Sequence, residues 1–448
     1  MKRLHILHAS LLAVTPFLGL ACGGESPATD TGDNTQSETL ACDGDVCVLT
    51  GTITDDLTLT ADKAWLLRGG VFIGDDVNET VLTIEPGTTL FGETSTNGML
   101  VIRRGSKIIA EGTAEAPIVM TSSKEDGSRA RGDWGGLIVN GRAPVNGCDE
   151  APCEAFGEGG TGFYGEADAD DSSGVLKYVR VEFAGTLISP DNELNGVAFQ
   201  GVGRGTEVDY LQVHMGADDG VEFFGGTVNV KHVLVTGVAD DSIDWTDGWQ
   251  GKAQFLVVQQ YEDAGDNGIE ADNNAENNAA APRSSPMISN VTLIGSPESD
   301  LSDLGILLRE GTGANLANFI VTGFNDACLD IDHDETFANA LTEAGALTGN
   351  LTLEHSILDC NKLYVEDEGE AIDLKTFVED LNTGNQVVDA GLEQPFSEAG
   401  PDFRPATTSP STSGAVVFDD SFFTNVSFKG GVDPLNDWTR GWTTSARN

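Results

Sequence analysis

Three short runs carry most of the chemistry available to this chain. Asp218-Asp219-Gly220-Val221-Glu222-Phe223 returns 22 residues on as Asp240-Asp241-Ser242-Ile243-Asp244-Trp245, and again as Asp266-Asn267-Gly268-Ile269-Glu270-Ala271. If Val221, Ile243 and Ile269 point into a core, strand alternation sends Glu222, Asp244 and Glu270 outward. Stacking at roughly 4.8 Å then lines these carboxylates up beside a second row from Asp218, Asp219, Asp240, Asp241 and Asp266. Packed carboxylates repel and hold protons tightly unless a cation sits among them. Oxygen-only ligands in acidic turns suit calcium better than zinc or copper. The same aspartates could instead only form turns, bonding nearby backbone N–H groups. Both readings stand at this point.

Elements that could align such runs must themselves repeat. β-Rich segments precede the acidic ones at a constant distance: Tyr210-Leu211-Gln212-Val213, His232-Val233-Leu234-Val235 and Gln254-Phe255-Leu256-Val257. Related runs start at Tyr178, Asn290 and Asn318, and fainter acidic copies are Asn325 to Ile331 and Glu370 to Leu374. Strands of four or five residues in a coil of about 22 cannot bury a face alone, but stacked on neighbours they build a continuous core. The expected fold is all-β, a right-handed parallel β-helix. A propeller would need a longer period, and a sandwich would not repeat an acidic turn at equal spacing. Helical patterning is confined to Glu335 to Leu347 and Lys375 to Leu381, read as insertions, while Ala271 to Ser285 reads as a protruding loop.

The chain ends indicate export. Lys2 and Arg3 precede an apolar run from Ile6 to Leu20, the pattern of a secretory leader over residues 1–21. Leu18-Gly19-Leu20-Ala21-Cys22 resembles a lipobox, which implies lipidation of Cys22 and, with Gly23 following, sorting to the outer membrane; an ordinary leader that happens to carry a cysteine is the other reading. No later run is long and apolar enough to span a bilayer. Residues 22–41 are small and polar, a tether, leaving 42–448 as one domain with an N-terminal cap at 42–80 and a C-terminal cap at about 425–448. Cys22 apart, six cysteines remain, and spacing suggests the disulfides Cys42–Cys47, Cys148–Cys153 and Cys328–Cys360. No Cys-x-x-Cys or His cluster points to zinc. With 24 Lys and Arg against 72 Asp and Glu, the formal charge is −48. That surface repels nucleic acid and anionic membrane and favours divalent cations, cationic ligands or plain solubility.

Ile84-Glu85-Pro86-Gly87-Thr88, Gly132-Asp133-Trp134-Gly135-Gly136-Leu137, Leu176 to Glu182, Asp218 to Thr227 and Asp437-Trp438-Thr439-Arg440-Gly441-Trp442 together resemble a family of bacterial outer-membrane and secreted β-helix (lipo)proteins of largely unassigned function. The resemblance runs from about Val81 to the C-terminus. It implies fold and surface location, and it brings no catalytic residues.

An enzyme is the second possibility. Parallel β-helices include polysaccharide lyases and glycoside hydrolases, and inverting hydrolysis needs two carboxylates roughly 6.5 to 9.5 Å apart. Asp240, Asp241 and Asp244 are the candidates. A lyase needs a Lys or Arg base, for which Lys231 and Lys252 are the nearest in sequence. Against cleavage, the Gly-His-Gly and Arg-Ile-Lys segments of β-helix galacturonases do not occur.

Trp245 aligns with in-pointing Phe223 and reads as core rather than as a sugar platform; Trp249 is open to either. Trp438 and Trp442 read as closing the end of the solenoid. His232 falls in a row with Tyr210, Gln254, Asn290 and Asn318, a structural stack. Arg131-Gly132-Asp133 matches the integrin tripeptide by chance, since a strand follows it. The reading is a surface-anchored β-helix that binds glycan or another surface component, its acidic turns either holding calcium or serving as turns alone; a polysaccharide-cleaving enzyme and a purely structural surface protein are the alternatives.

Overall fold

The computed structural model describes residues 39–148, 152–189, 192–365 and 372–448. The parallel β-helix is present, and three faces of strands wind through it. The first face stacks Met99–Ile102, Gly136–Asn140, Val197–Gln200, Val221–Phe224, Ile243–Thr246, Ile269–Ala271, Leu304–Leu308 and Ala327–Ile331, all in parallel register. The other two are the two halves of longer strands, among them Gly174–Glu182, Glu207–His214, Asn229–Thr236, Lys252–Gln259, Met287–Ile294 and Ala314–Thr322.

One residue bends each long strand. Tyr178, Tyr210, His232, Phe255, Asn290 and Asn318 all have φ between 49° and 63°. A single left-handed residue between extended stretches turns the chain from one face to the next, at about 1–2 kcal/mol for a residue with a Cβ. Stacking offsets part of that cost. The rings of Tyr178 and Tyr210 lie 4.3 Å apart, as do those of Tyr210 and His232, and Phe255 continues the pile. This corrects the expected row: Phe255 holds the corner where Gln254 was placed, because Val233 pairs with Leu256, so this coil is one residue longer than its predecessor.

Inside, equivalent apolar residues stack: Val221, Ile243, Ile269 and Ile306 on the first face, and Val179, Leu211, Val233, Leu256, Val291 and Phe319 on another. Trp245 is core as expected, and Trp249 joins it, its ring 4.0 Å from that of Phe223. The expected N-terminal cap at 42–80 is already coil. Val46–Ile53 and Ala64–Ile73 pair in parallel and bury Leu49, Trp65 and Leu67, and the fold begins at an antiparallel strand, Leu40–Asp43, inside the expected tether. The helical insertion at 335–347 is shorter than expected. Helix spans Asp334–Ala340, after which Gly345, at φ 78°, turns the chain so that Leu341 bridges Leu347. The second helical segment occupies Thr376–Leu381. All three expected disulfides form. Among the described residues no helix is long and apolar enough to cross a membrane.

The C-terminal segment does not close the end of the solenoid. Phe377 and Val378, buried with Leu351, Leu353 and Leu358, cover the last coil instead. From about residue 414 the chain runs back along the corner row as a strap. The side-chain amides of Asn318, Gln254 and Gln212 each accept from the N–H and donate to the C=O of one strap residue, Val416, Thr424 and Thr444 in turn. An amide side chain mimics a peptide group, so it satisfies the strap backbone without a further strand. Trp438 and Trp442 set their edges against the Tyr210 ring, and Trp442 also meets Tyr178. Trp442→Ala, which removes a side chain only 2% exposed, should cost the strap about 3–5 kcal/mol. Limited proteolysis is expected to trim the variant near its C-terminus while its β circular dichroism persists; loss of the whole fold would contradict the strap's separateness.

Candidate functional site

Register on the first face decides what the acidic runs become. Val221 pairs with Ile243 and Ile243 with Ile269, so Glu222, Asp244 and Glu270 form one row, as the alternation requires. Asp218, Asp240 and Asp266 form an outer row. Asp303 and Asp326 continue it through backbone bonds of 2.9 Å from each to the residue before, and Lys362 pairs with Asp326 at 3.1 Å. Between the rows lie Asp219 and Asp241.

The carboxylates gather into four triads, within each of which one oxygen per residue lies within 4.8 Å of the others. They are Asp218, Asp219 and Asp240; Asp219, Glu222 and Asp244; Asp240, Asp241 and Asp266; and Asp241, Asp244 and Glu270. Every metal-ligating residue proposed from the sequence therefore falls in one cluster. Asp241 lies within that distance of Asp240 in one triad and of Asp244 in another, closer than the gap an inverting hydrolase keeps for its water, so neither of those two pairs is spaced for that reaction.

Although these side chains point out of the coil, the inner ones are withdrawn from water, while Asp218, Asp240, Asp244, Asp266 and Glu270 stay partly exposed. Asp219, Glu222 and Asp241 are 8%, 8% and 5% exposed. The hairpin Ala155–Gly157 and Gly162–Tyr164 folds over the face, with Asn140 donating to the Thr161 carbonyl and Tyr164 Oη bonded to Asp247. Asn195 donates from Nδ2 to Glu222. Asp219 and Asp241 each accept the backbone N–H of the next coil, from Asp241 at 3.0 Å and Asn267 at 2.8 Å, so the turn-forming role read from the sequence is real for these two. It employs one oxygen of each.

Burial, and then mutual repulsion, makes the charged forms costly. Burial first and Asp240 second push Asp218 up to about 7; burial lifts Glu270 to about 7 against the pull of Arg309, and burial with Asp240 lifts Asp266 to about 6. Asp219, Glu222, Asp241 and Asp244 rise well above the carboxylate range for the same reasons. Glu158, on the covering hairpin, is raised to about 7 by burial and by Glu193. Buried oxygens without a partner on this face include Asp244 Oδ1, Asn195 Oδ1, Ser242 Oγ and Asn140 Oδ1. Carboxylates this close, with acceptors left over and oxygen-only chemistry, fit a hard divalent cation such as calcium.

Of the two lysines considered as bases, neither reaches the cluster. Lys231 donates to the Thr424 hydroxyl and lies over the Phe422 ring, and Lys252 pairs with Asp420, both on strands of another face beneath the C-terminal segment. The basic side chain that does reach it is Arg309, bonded to Asp272 at 2.9 Å and to Glu270. Sequence reading missed it, yet Asp303-Leu304-Gly305-Ile306-Leu307-Leu308-Arg309 is the next copy of Asp266 to Asp272, displaced by the long loop. Glu158, Glu193 and Asn195 were also missed, since they lie on chain outside the repeat. Glu370 falls outside the described residues, as does Cys22. Arg131 is bound to Asp263 and the Gly237 carbonyl, and Asp133 is buried against Ser122, Lys124 and the Ala130 N–H, so the tripeptide belongs to the fold's interior bonding. His232 is held by Asp209 at 2.7 Å within the ring stack.

A polar cleft of about 560 Å³ opens at the end of the same strands, lined by Asn146, Asn274, Glu276 and Asn277 among others. Asn274 bonds Asp247, the residue that follows Ile243–Thr246.

Raised carboxyl pKa values mean that the cation-free fold keeps protons which the unfolded chain has released. Their stabilising effect is full below about pH 4 and is lost as pH rises towards 7. In chelator the domain should therefore melt higher at pH 5 than at pH 8. A melting temperature that rises steadily over that range would contradict the clustering.

No curated protein and no solved structure matches the chain. The family model for the pectate-lyase-like beta helix domain matches residues 51–443, from the first coil through the strap. With its parallel coils and that match over most of its length, the chain belongs to the pectate-lyase-like β-helix family.

Proposed function

We propose that this protein is an exported, lipid-anchored β-helix that binds glycan along its first face, with calcium held by the carboxylate ladder. The observation that carries the reading is the set of triads around Asp241 and Asp244, each holding at least one buried carboxylate and, among the described residues, neutralised by a guanidinium only at the Glu270 end. A divalent cation removes the repulsion and keeps coordination positions for sugar hydroxyls or carboxylates. The adjoining cleft, lined by side-chain amides, supports the same class of ligand, since a few convergent polar groups orient a bound sugar. Membership of a pectate-lyase-like family supports a carbohydrate-related role. Binding fits better than cleavage: Arg309 is clamped by Glu270 and Asp272, which keeps it charged and suits it to anchor a ligand anion rather than to take a proton.

Export and anchoring rest on the leader, Cys22 and the three disulfides, which suit an oxidising compartment. Radiolabelled palmitate should enter the wild-type protein expressed in a Gram-negative host and be absent from Cys22→Ala; labelling of the variant would remove the anchor.

Millimolar calcium should raise the melting temperature of the mature domain over chelator, with a smaller effect of magnesium, because a ligand at a hundredfold its Kd adds about 2.7 kcal/mol. The rise should vanish in Asp241→Asn/Asp244→Asn, and retention on immobilised acidic polysaccharide should need calcium. Equal melting in chelator and calcium would sink the cation reading, and calcium-independent retention would sink its link to glycan.

A further inference from the structure

The four triads are two pairs, and one coil of the solenoid carries each pair onto the other. Advancing one coil turns Asp218, Asp219 and Asp240 into Asp240, Asp241 and Asp266, and it turns Asp219, Glu222 and Asp244 into Asp241, Asp244 and Glu270. Two levels result. The first lies between the coils bearing Glu222 and Asp244, the second between those bearing Asp244 and Glu270. Within a level the triads share a residue, Asp219 in the first and Asp241 in the second, so each level offers one compact set of ligands.

Resting on the cation reading above, we infer that the ladder is a tandem site: it takes two divalent cations, one per level, bridged by the carboxylates of Asp240 and Asp244 on the middle coil. Coils repeat at roughly 4.8 Å, and carboxylate-bridged metal pairs elsewhere in proteins stand about 3.5–4 Å apart, so two ions one coil apart are compatible when anionic ligands lie between them. Unpartnered oxygens support the assignment independently of the acid count. Asp244 Oδ1, on the shared coil, is buried without a partner. Asn195 is 3% exposed and touches Glu222 through Nδ2, and its Oδ1 likewise has none, which leaves a neutral oxygen donor beside the first level.

The levels are unequal. Glu270, in the second, already carries the Arg309 guanidinium, whereas Glu222 is met, among the described residues, only by the neutral amide of Asn195. The first level therefore fills at lower cation concentration. Residues of the outer coils belong to one level each, and Asp244 belongs to both.

Isothermal titration of the chelator-treated mature domain with calcium, checked by terbium luminescence, tests this. Wild type should take two ions in two resolved steps. Glu222→Gln should lose the tighter step and keep the weaker, Glu270→Gln should do the reverse, and Asp244→Asn should weaken both at least tenfold. Glutamine and asparagine replace buried carboxylates isosterically, so melting in chelator should show all three variants folded. One ion per chain in wild type, with its affinity reduced alike by Glu222→Gln and Glu270→Gln, would overturn the tandem site while leaving the cation reading intact. No ion in wild type would overturn both.

Discussion

Parallel coils place each residue over its counterpart one turn earlier, about 4.8 Å away, and that stacking governs every part of this molecule. Inside, it lines up Val221, Ile243, Ile269 and Ile306 into a continuous apolar row. At a corner it piles Tyr178, Tyr210, His232 and Phe255 ring on ring and so helps to offset their left-handed backbone. On the first face the same rule brings carboxylates together against their own repulsion. Stacking cannot distinguish favourable neighbours from unfavourable ones; it repeats whatever the sequence repeats. A chain that repeats aspartate on three consecutive coils must therefore supply protons or cations to the row.

The covering elements decide which of these it is. Left open to water, the ladder would be screened and of small consequence. The hairpin carrying Glu158 and the segment carrying Asn195 instead take the carboxylates out of water, which raises their proton affinity and sharpens their demand for a counter-ion. Arg309 meets that demand at one end only. The strap works in the opposite sense on another face, where Gln212, Gln254 and Asn318 give peptide-like partners to a returning backbone and seal a polar row that would otherwise stay wet.

The coil, the in-pointing row and the eight ladder carboxylates were legible because they rest on short-range periodicity. Three things were not. A repeat separated by a long loop hides its own register, which is why Arg309 went unseen. A one-residue lengthening of a coil leaves the hydrophobic pattern almost unchanged, so Gln254 was placed where Phe255 sits. And residues that cover a face come from outside the repeat: no periodicity announces that the 155–164 hairpin bends over the ladder, or that Trp438 and Trp442 lie along the flank rather than at the end.

Anomalous diffraction from crystals grown in chelator and then soaked in manganese or terbium tests the cation ladder most directly. Strong peaks are expected on the first face between the coils of Glu222, Asp244 and Glu270, with the Asp244 carboxylate in the coordination sphere. An unoccupied ladder, with its carboxyl groups drawn together at hydrogen-bonding distance, would mean that protons alone hold the row and would contradict it.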